Sequence, residues 1–321
     1  MFQLATFPQV DAVIAWTRTA GAVAARPFEE PALQRLMARV RGADAAERAA
    51  ILAALLPALD AADAMKAACV AVCCGTAVEW GVDPAIAGGA VVRRLDVAVR
   101  DDSDASAIKL LAVAAMAHLA RSVGLRRAAR RLDGLADRLA AIEDRVHEAW
   151  YVRTALSLLD DLELLVLAPA ARRGYRLRVE AVKSNFHLFT LVQGALIGDP
   201  DDGWLAAEPC DADVLAIARG EARDTGRADH ARFHFYQASA LTADGVIGAG
   251  LAGSIWGEGT PRELATRHDG AAVMLVGPTV LGTRGWSSGF FAAIHGALRS
   301  RAEVIATLTP AEVDAALAAL R

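Results

Sequence analysis

The chain has 321 residues, of which 55% are apolar and 22% charged, and its formal net charge is −4. A chain of this size and composition is expected to form two domains with buried cores, and the composition excludes disorder as the dominant state. The weak negative charge gives no electrostatic reason to expect a nucleic acid or an anionic membrane as partner, and we predict neither.

The first half of the chain has the apolar periodicity of α-helices. From about residue 7 to residue 159, apolar residues recur at three- and four-residue steps, which is typical of amphipathic helices. The expected helices cover residues 9–24, 30–41, 44–59, 62–80, 84–99, 105–123 and 126–159, and a break within the last is left open. Asp44 and Asp83 stand where capping side chains begin helices. Short connections favour either a bundle or an irregular helical stack.

The pattern changes near residue 160, which predicts a helical domain over 1–160 and an α+β domain over 161–321. Residues 162–167 and 175–182 are expected to be strands, since the second alternates apolar with charged positions. Further strands are expected at 233–238, 253–257, 272–276 and 303–308, and helices at 186–196, 212–221, 290–299 and 310–320. Because strands and helices do not alternate strictly, we predict an α+β fold with an antiparallel sheet, on which the helical half packs.

Two segments match catalytic or nucleotide-binding motifs in letters only. Residues 248–253 read GAGLAG, but neither a strand nor a helix flanks them as a dinucleotide site requires, so we interpret them as a turn. Residues 285–289 read GWSSG and match the nucleophile elbow, yet His295 lies inside the helix expected to follow. Ser287 would therefore need His187 or His234 from elsewhere, and we interpret it as a helix cap.

No metal or cofactor is predicted. His230 and His234 lie four residues apart, but the segment around His234 is typical of a strand, which would separate the two side chains. The cysteines between residues 69 and 74 lie in an apolar helix without further ligands nearby, and we interpret them as core residues. No apolar run is long enough to span a membrane, and residues 1–5 lack the features of a signal peptide. We therefore expect a cytoplasmic protein.

Three segments of the C-terminal half, residues 184–188, 254–261 and 286–291, read SNFHL, SIWGEGTP and WSSGFF. They resemble segments of uncharacterised bacterial proteins. The resemblance covers the C-terminal half only, and it implies kinship without a function.

The candidate binding residues are aromatic, acidic and histidine side chains of the C-terminal half. Trp256 and Glu258 flank a glycine, and Trp286 lies in another glycine-containing stretch. Aromatic and charged loop residues are typical of partner recognition. His187 and His234 are the histidines that an active site would use. The structural alternative is that Trp256 anchors a hairpin to the core and Glu258 holds a turn.

Three functions follow as hypotheses. The leading one is a non-enzymatic protein-interaction module or adaptor, with a protein as partner and the oligomeric state left open. The alternative is an enzyme of undetermined class, such as a hydrolase that uses Ser287 or Glu258 with His187 or His234. A third is small-molecule binding between the halves. An enzyme should bring a nucleophile, its base and an orienting partner within hydrogen-bond reach, whereas an adaptor should present an exposed apolar surface.

Overall fold

The computed structural model describes residues 7–21, 23, 26–223, 226–282 and 284–321. These residues divide into two compact units, and the division falls between Leu156 and Ser157. The first unit is built from helices, and the second contains a mixed sheet together with helices. The predicted α+β class is therefore confirmed.

The helices of the first unit follow one another with short connections. They are α1 (Pro8–Arg18), α2 (Pro31–Gly42), α3 (Ala45–Leu59), α4 (Ala64–Glu79), α5 (Ala85–Arg100), α6 (Ala105–Leu119), α7 (Val123–Arg130), α8 (Leu135–Ala141) and α9 (Glu148–Ser157). Side chains of Asp44, Asp63 and Asp104 cap three of them by accepting backbone N–H groups. Each such cap satisfies donors that would otherwise lack a partner at the start of a helix.

The long helix expected over residues 126–159 is three helices, α7, α8 and α9. Gly134 precedes α8 in a left-handed conformation, with φ at 64°, which interrupts the helical path. The helix expected over 105–123 ends at Leu119, because the Ser122 side chain caps the separate helix α7. Residues 22 and 24, inside the predicted first helix, lie outside the described residues.

Small side chains allow α4 and α6 to pack closely in the core of the first unit. A Cβ atom on Gly75 would lie 3.3 Å from the Cα atom of Ala114. Cys69, Cys73 and Cys74 are buried on α4, and burial raises the pKa values of their thiols, that of Cys69 to about 11. These cysteines are therefore small apolar core residues with little thiolate character.

The second unit is organised around a six-stranded sheet. Its elements are β1 (Leu162–Ala168), β2 (Arg173–Glu180), α10 (Asn185–Leu196), α11 (Ala212–Ala218), β3 (Ala228–His230), β4 (His234–Tyr236), β5 (Arg267–His268), β6 (Ala271–Gly277), β7 (Gly285–Ser287), β8 (Arg301–Leu308) and α12 (Pro310–Ala319). The strand order is β4-β6-β1-β2-β8, with β5 beside β6. The pairing of β1 with β6 is parallel and the others are antiparallel. Strands β3 and β7 form a separate ladder.

Alternation along the strands places one apolar layer on each face of the sheet. Leu164 and Leu177 belong to the core cluster that also contains the apolar residues of α10. Leu165 belongs to the cluster on the opposite face, which includes Val313 and Leu317 of α12. Thr309 and Glu312 form a reciprocal capping box at the start of α12, so this predicted helix begins where the sequence indicated.

Two predicted elements of the second unit are wrong. The segment 253–257 forms only an isolated bridge between Ser254 and Tyr236. The segment 290–299 is not a helix: a 3₁₀ turn ends at Phe290, and irregular turns follow. Phe291, Ile294 and Leu298 are all buried. Their spacing resembles that of a helix face, although successive turns bring them to the core.

Candidate functional site

The loop that carries Trp256 and Glu258 is fixed by backbone contacts to the start of α10. The N–H groups of Asn185 and Phe186 donate to the carbonyl oxygens of Gly259 and Gly257, both at 2.9 Å. The side-chain amide of Asn185 donates to the carbonyl of Trp256 at 2.7 Å. These contacts satisfy the first donors of α10 with protein atoms, so this helix end is not an anion site.

Gly257 is required by the close approach of Phe186 to the loop. A Cβ atom at this position would lie 2.0 Å from a ring carbon of Phe186, well inside van der Waals contact. The loop therefore packs directly on the Phe186 ring. Trp256, the preceding residue, is nevertheless 51% exposed. It is a large aromatic residue on a well-anchored backbone, with about half of its surface in solvent.

Arg284 lies beside both Phe186 and Trp256. Its guanidinium carbon is 5.2 Å from the ring centroid of Phe186 and 5.1 Å from that of Trp256. Both distances are in the range of cation–π attraction. The backbone carbonyl of Arg284 accepts the N–H of Ala231 at 2.7 Å, which fixes the chain beside the β3–β7 ladder. The arginine is thus positioned through its backbone and its side chain.

Glu258 is the polar partner of Arg284. One carboxylate oxygen of Glu258 lies 3.5 Å from a guanidinium nitrogen, at the long end of hydrogen bonding. The Glu258 side chain is 65% exposed, whereas that of Arg284 is 17% exposed. A guanidinium has five N–H donors, and Glu258 engages one nitrogen. The carboxylate is therefore a loosely held partner of a largely buried cation.

Two further aromatic rings pack against Phe186: one belongs to a buried residue and the other to a partly exposed residue. Phe186 stacks on Trp286 with 5.0 Å between ring centroids, and Phe290 meets the edge of Phe186 at 4.9 Å. Phe290 is 38% exposed. We call Phe186, Trp256, Glu258, Arg284 and Phe290 the aromatic–arginine site.

Trp286 is a buried support of this site. Its indole N–H donates to the Thr190 hydroxyl at 2.9 Å, and that hydroxyl donates to the Asp229 carboxylate at 2.6 Å. Arg232 forms an ion pair with the same carboxylate. The network is buried, and apart from the Nε atom of Arg232, which has no partner among the described residues, its polar groups are paired, as is typical of a structural contact. It connects α10 to the β3–β7 ladder.

His187 is a buried structural residue. Its Nε2 lies 2.8 Å from the carbonyl oxygen of Ala218, and its Nδ1 lies 3.2 Å from the backbone nitrogen of Lys183. These partners place the proton on Nε2 and leave Nδ1 as an acceptor. Burial lowers the pKa of His187 to about 4. Both ring nitrogens are engaged with the backbone, so neither serves a reacting group.

His234 is paired with Ser254. The Nε2 atom of His234 lies 2.8 Å from the Ser254 hydroxyl, the first contact that an activated nucleophile needs. Burial, and then the positive charge of Arg284, lower the pKa of His234. Among the described residues, no carboxylate hydrogen-bonds to the Nδ1 atom, so the orienting group of a triad is missing from this part of the chain.

The backbone N–H groups of Ser254 and of the residue after it are already paired within the chain. The N–H of Ser254 donates to the carbonyl of Leu251 at 3.0 Å, and the N–H of Ile255 donates to that of Phe235 at 2.9 Å. An oxyanion hole requires free donors aimed at the reacting atom. Among the described residues, the pair of His234 and Ser254 thus has neither a carboxylate on the His234 Nδ1 atom nor a free N–H donor at residues 254 and 255.

Among the described residues, the Ser287 hydroxyl forms no hydrogen bond with a histidine. Its hydroxyl accepts the N–H of Gly289 at 3.0 Å, which caps the short 3₁₀ turn after β7. His295 accepts the N–H of Ala297 at its Nδ1 atom. The serine of the GWSSG segment thus lies on a short strand followed by a turn, whereas a nucleophile elbow leads into a helix.

The structure brings Trp256 and Glu258 together around Arg284, and Trp286 is connected to them through its stacking on Phe186. The positive charge of Arg284 also acts on His234. His187 is separately buried. Sequence reasoning missed Arg284, whose only local signal is its position one residue before the Gly-Trp pair at 285–286. The described residues contain no group of three side chains that could hold a metal ion. No described helix is long and apolar enough to cross a membrane.

No protein-family model, curated protein or solved structure matches this chain significantly.

Proposed function

We propose that the chain is a non-enzymatic protein-interaction module, or adaptor, that binds a partner protein through the aromatic–arginine site. The observation that carries the proposal is the exposure of Trp256 on a loop whose backbone is anchored to α10. Tryptophan, tyrosine and arginine dominate the energetics of protein interfaces. A rigid, exposed tryptophan loses little conformational entropy when it binds.

The surroundings of Trp256 support the proposal. Arg284 packs against the rings of Trp256 and Phe186, and Phe290, which contacts Phe186, is 38% exposed. Clusters of exposed aromatic and aliphatic residues are characteristic of interaction surfaces.

The test compares the full-length chain with two matched variants, Trp256→Ala and Phe28→Ala. Phe28 is exposed to a similar degree but belongs to the first unit. Each protein is used to select binders from a phage-displayed library of random 12-residue peptides. We expect the wild type and Phe28→Ala to enrich the same peptides and Trp256→Ala to lose them. Equal enrichment by all three proteins would contradict the proposal.

The alternative function, an enzyme of the hydrolase class, retains one supporting observation, the contact between His234 and Ser254. Labelling with a fluorophosphonate probe tests it, because such probes react with activated serine hydroxyls. The binding proposal predicts no labelling above that of Ser254→Ala. Labelling that requires both Ser254 and His234 would favour the enzyme.

A further inference from the structure

Arg284 is held firmly but has little hydrogen bonding. Its guanidinium lies against the rings of Phe186 and Trp256, and only 17% of its side chain is exposed. Its polar partner among the described side chains is Glu258, at 3.5 Å. No Arg284 nitrogen is among the buried, unpartnered side-chain atoms of the described residues, so its remaining N–H groups are accessible from solvent. The guanidinium therefore retains donor capacity for a further acceptor.

Glu258 indicates which chemical group fits against this guanidinium. A carboxylate already reaches Arg284 from within the chain, and it does so at the long end of hydrogen-bonding distance. The Glu258 side chain is mostly in solvent, so water competes for its carboxylate, and a single contact at this distance is weak. A carboxylate from outside, delivered at a shorter distance and with bidentate geometry, would make the stronger contact.

We infer that the partner presents an aspartate or glutamate side chain next to an apolar side chain, and that its carboxylate replaces Glu258 on Arg284. The apolar side chain then packs on the exposed faces of Trp256 and Phe290. This inference rests on the proposed function, to which it adds the chemistry of the partner. Glu258 is a competing internal carboxylate in this account, and it does not contact the partner favourably.

Neutral substitutions of Glu258 and Arg284 should change the affinity for an acidic peptide in opposite directions. Glu258→Gln removes the competitor and leaves the guanidinium in place, so it should tighten the binding of an acidic peptide about threefold or more. Arg284→Gln removes the carboxylate's partner and should weaken binding at least about tenfold. Arg284→Lys keeps the charge but loses the planar fork, so its affinity should fall between those of the wild type and Arg284→Gln.

The experiment begins with the 12-residue peptide library and the full-length wild-type chain. We expect the selected peptides to be enriched in Asp and Glu beside an apolar residue. The best peptide is then synthesised with its acidic residues intact, and again with each replaced by Asn or Gln. Titration calorimetry measures both peptides against wild type, Glu258→Gln, Arg284→Gln and Arg284→Lys, and thermal unfolding verifies that each variant is folded.

The outcomes separate this inference from the proposed function. Neutral or basic peptides that depend on Trp256 would overturn the acidic partner and leave the interaction site standing. Weaker binding by Glu258→Gln would also overturn it, because Glu258 would then be a contact residue for a basic partner. Peptides whose selection is insensitive to Trp256→Ala would instead refute the interaction site itself.

Discussion

The buried imidazole of His187 makes the second unit sensitive to acid. In the folded chain both ring nitrogens are hydrogen-bonded to backbone groups, and burial lowers the pKa of His187 from 6.5 to about 4. The unfolded chain therefore binds more protons than the folded chain between these two values, and the free energy of unfolding falls as the pH decreases through this window. Stability due to the neutral imidazole is fully present only above pH 6.5.

The magnitude follows from proton linkage. A pKa of 6.5 in the unfolded chain and about 4 in the folded chain gives a loss of about 2 kcal/mol between pH 7 and pH 5. The matched variant is His187→Gln, whose amide can still donate to the Ala218 carbonyl but cannot take up a proton. Other titrating groups, including the buried His118, are shared by both proteins and cancel in the comparison.

The assay is urea denaturation followed by hydrogen–deuterium exchange mass spectrometry on peptides from α10 and β2. These peptides report the second unit separately from the first, which a whole-chain signal would not. We expect wild type to lose about 2 kcal/mol more than His187→Gln between pH 7 and pH 5. An equal loss in the two proteins would refute the assignment of His187 as a buried neutral residue. His187→Asn, which keeps an acceptor for the Lys183 N–H, serves if the first variant does not fold.

Two further substitutions test how the aromatic–arginine site is supported, and both are measured by the same denaturation experiment. Gly257→Ala should destabilise the second unit by about 1–3 kcal/mol, because its methyl group meets the Phe186 ring. Gly248→Ala is the control, since a Cβ atom there has ordinary contacts, and equal effects would contradict the close approach. Thr190→Val should cost about 1–3 kcal/mol, because the hydroxyl bridges the indole of Trp286 and a buried carboxylate. An unchanged free energy of unfolding would contradict a stabilising role of this bridge.

Local patterns were sufficient for the longer strands and helices of the second unit, but not for its short strands β3, β5 and β7. The alternation of Tyr175, Leu177 and Val179 with charged residues predicts β2, and Thr309 before a proline predicts the start of α12. These signals depend on neighbours a few residues away, so they can be seen in one sequence. The parallel pairing of β1 with β6 joins segments about 100 residues apart, and no local pattern specifies it.

The candidate site was only partly predictable for the same reason. Trp256 and Glu258 could be selected because they lie together in a glycine-rich segment. Arg284 could not, because it joins them through contacts between distant parts of the chain. His234 contacts Ser254 because an isolated bridge places Ser254 beside Tyr236 of β4. The only serine motif in the sequence, GWSSG, contains Ser287 instead. The resemblance to uncharacterised bacterial proteins stays a prediction.

The most direct test of the central claim is the affinity of the full-length chain for its best selected peptide, measured by titration calorimetry on wild type, Trp256→Ala and Phe28→Ala. The account predicts at least about tenfold weaker binding by Trp256→Ala, as expected for a tryptophan at the centre of an interface, and unchanged binding by Phe28→Ala. Equal affinities for the three proteins would show that the exposed Trp256 has no part in recognition, and the aromatic–arginine site would lose its proposed function.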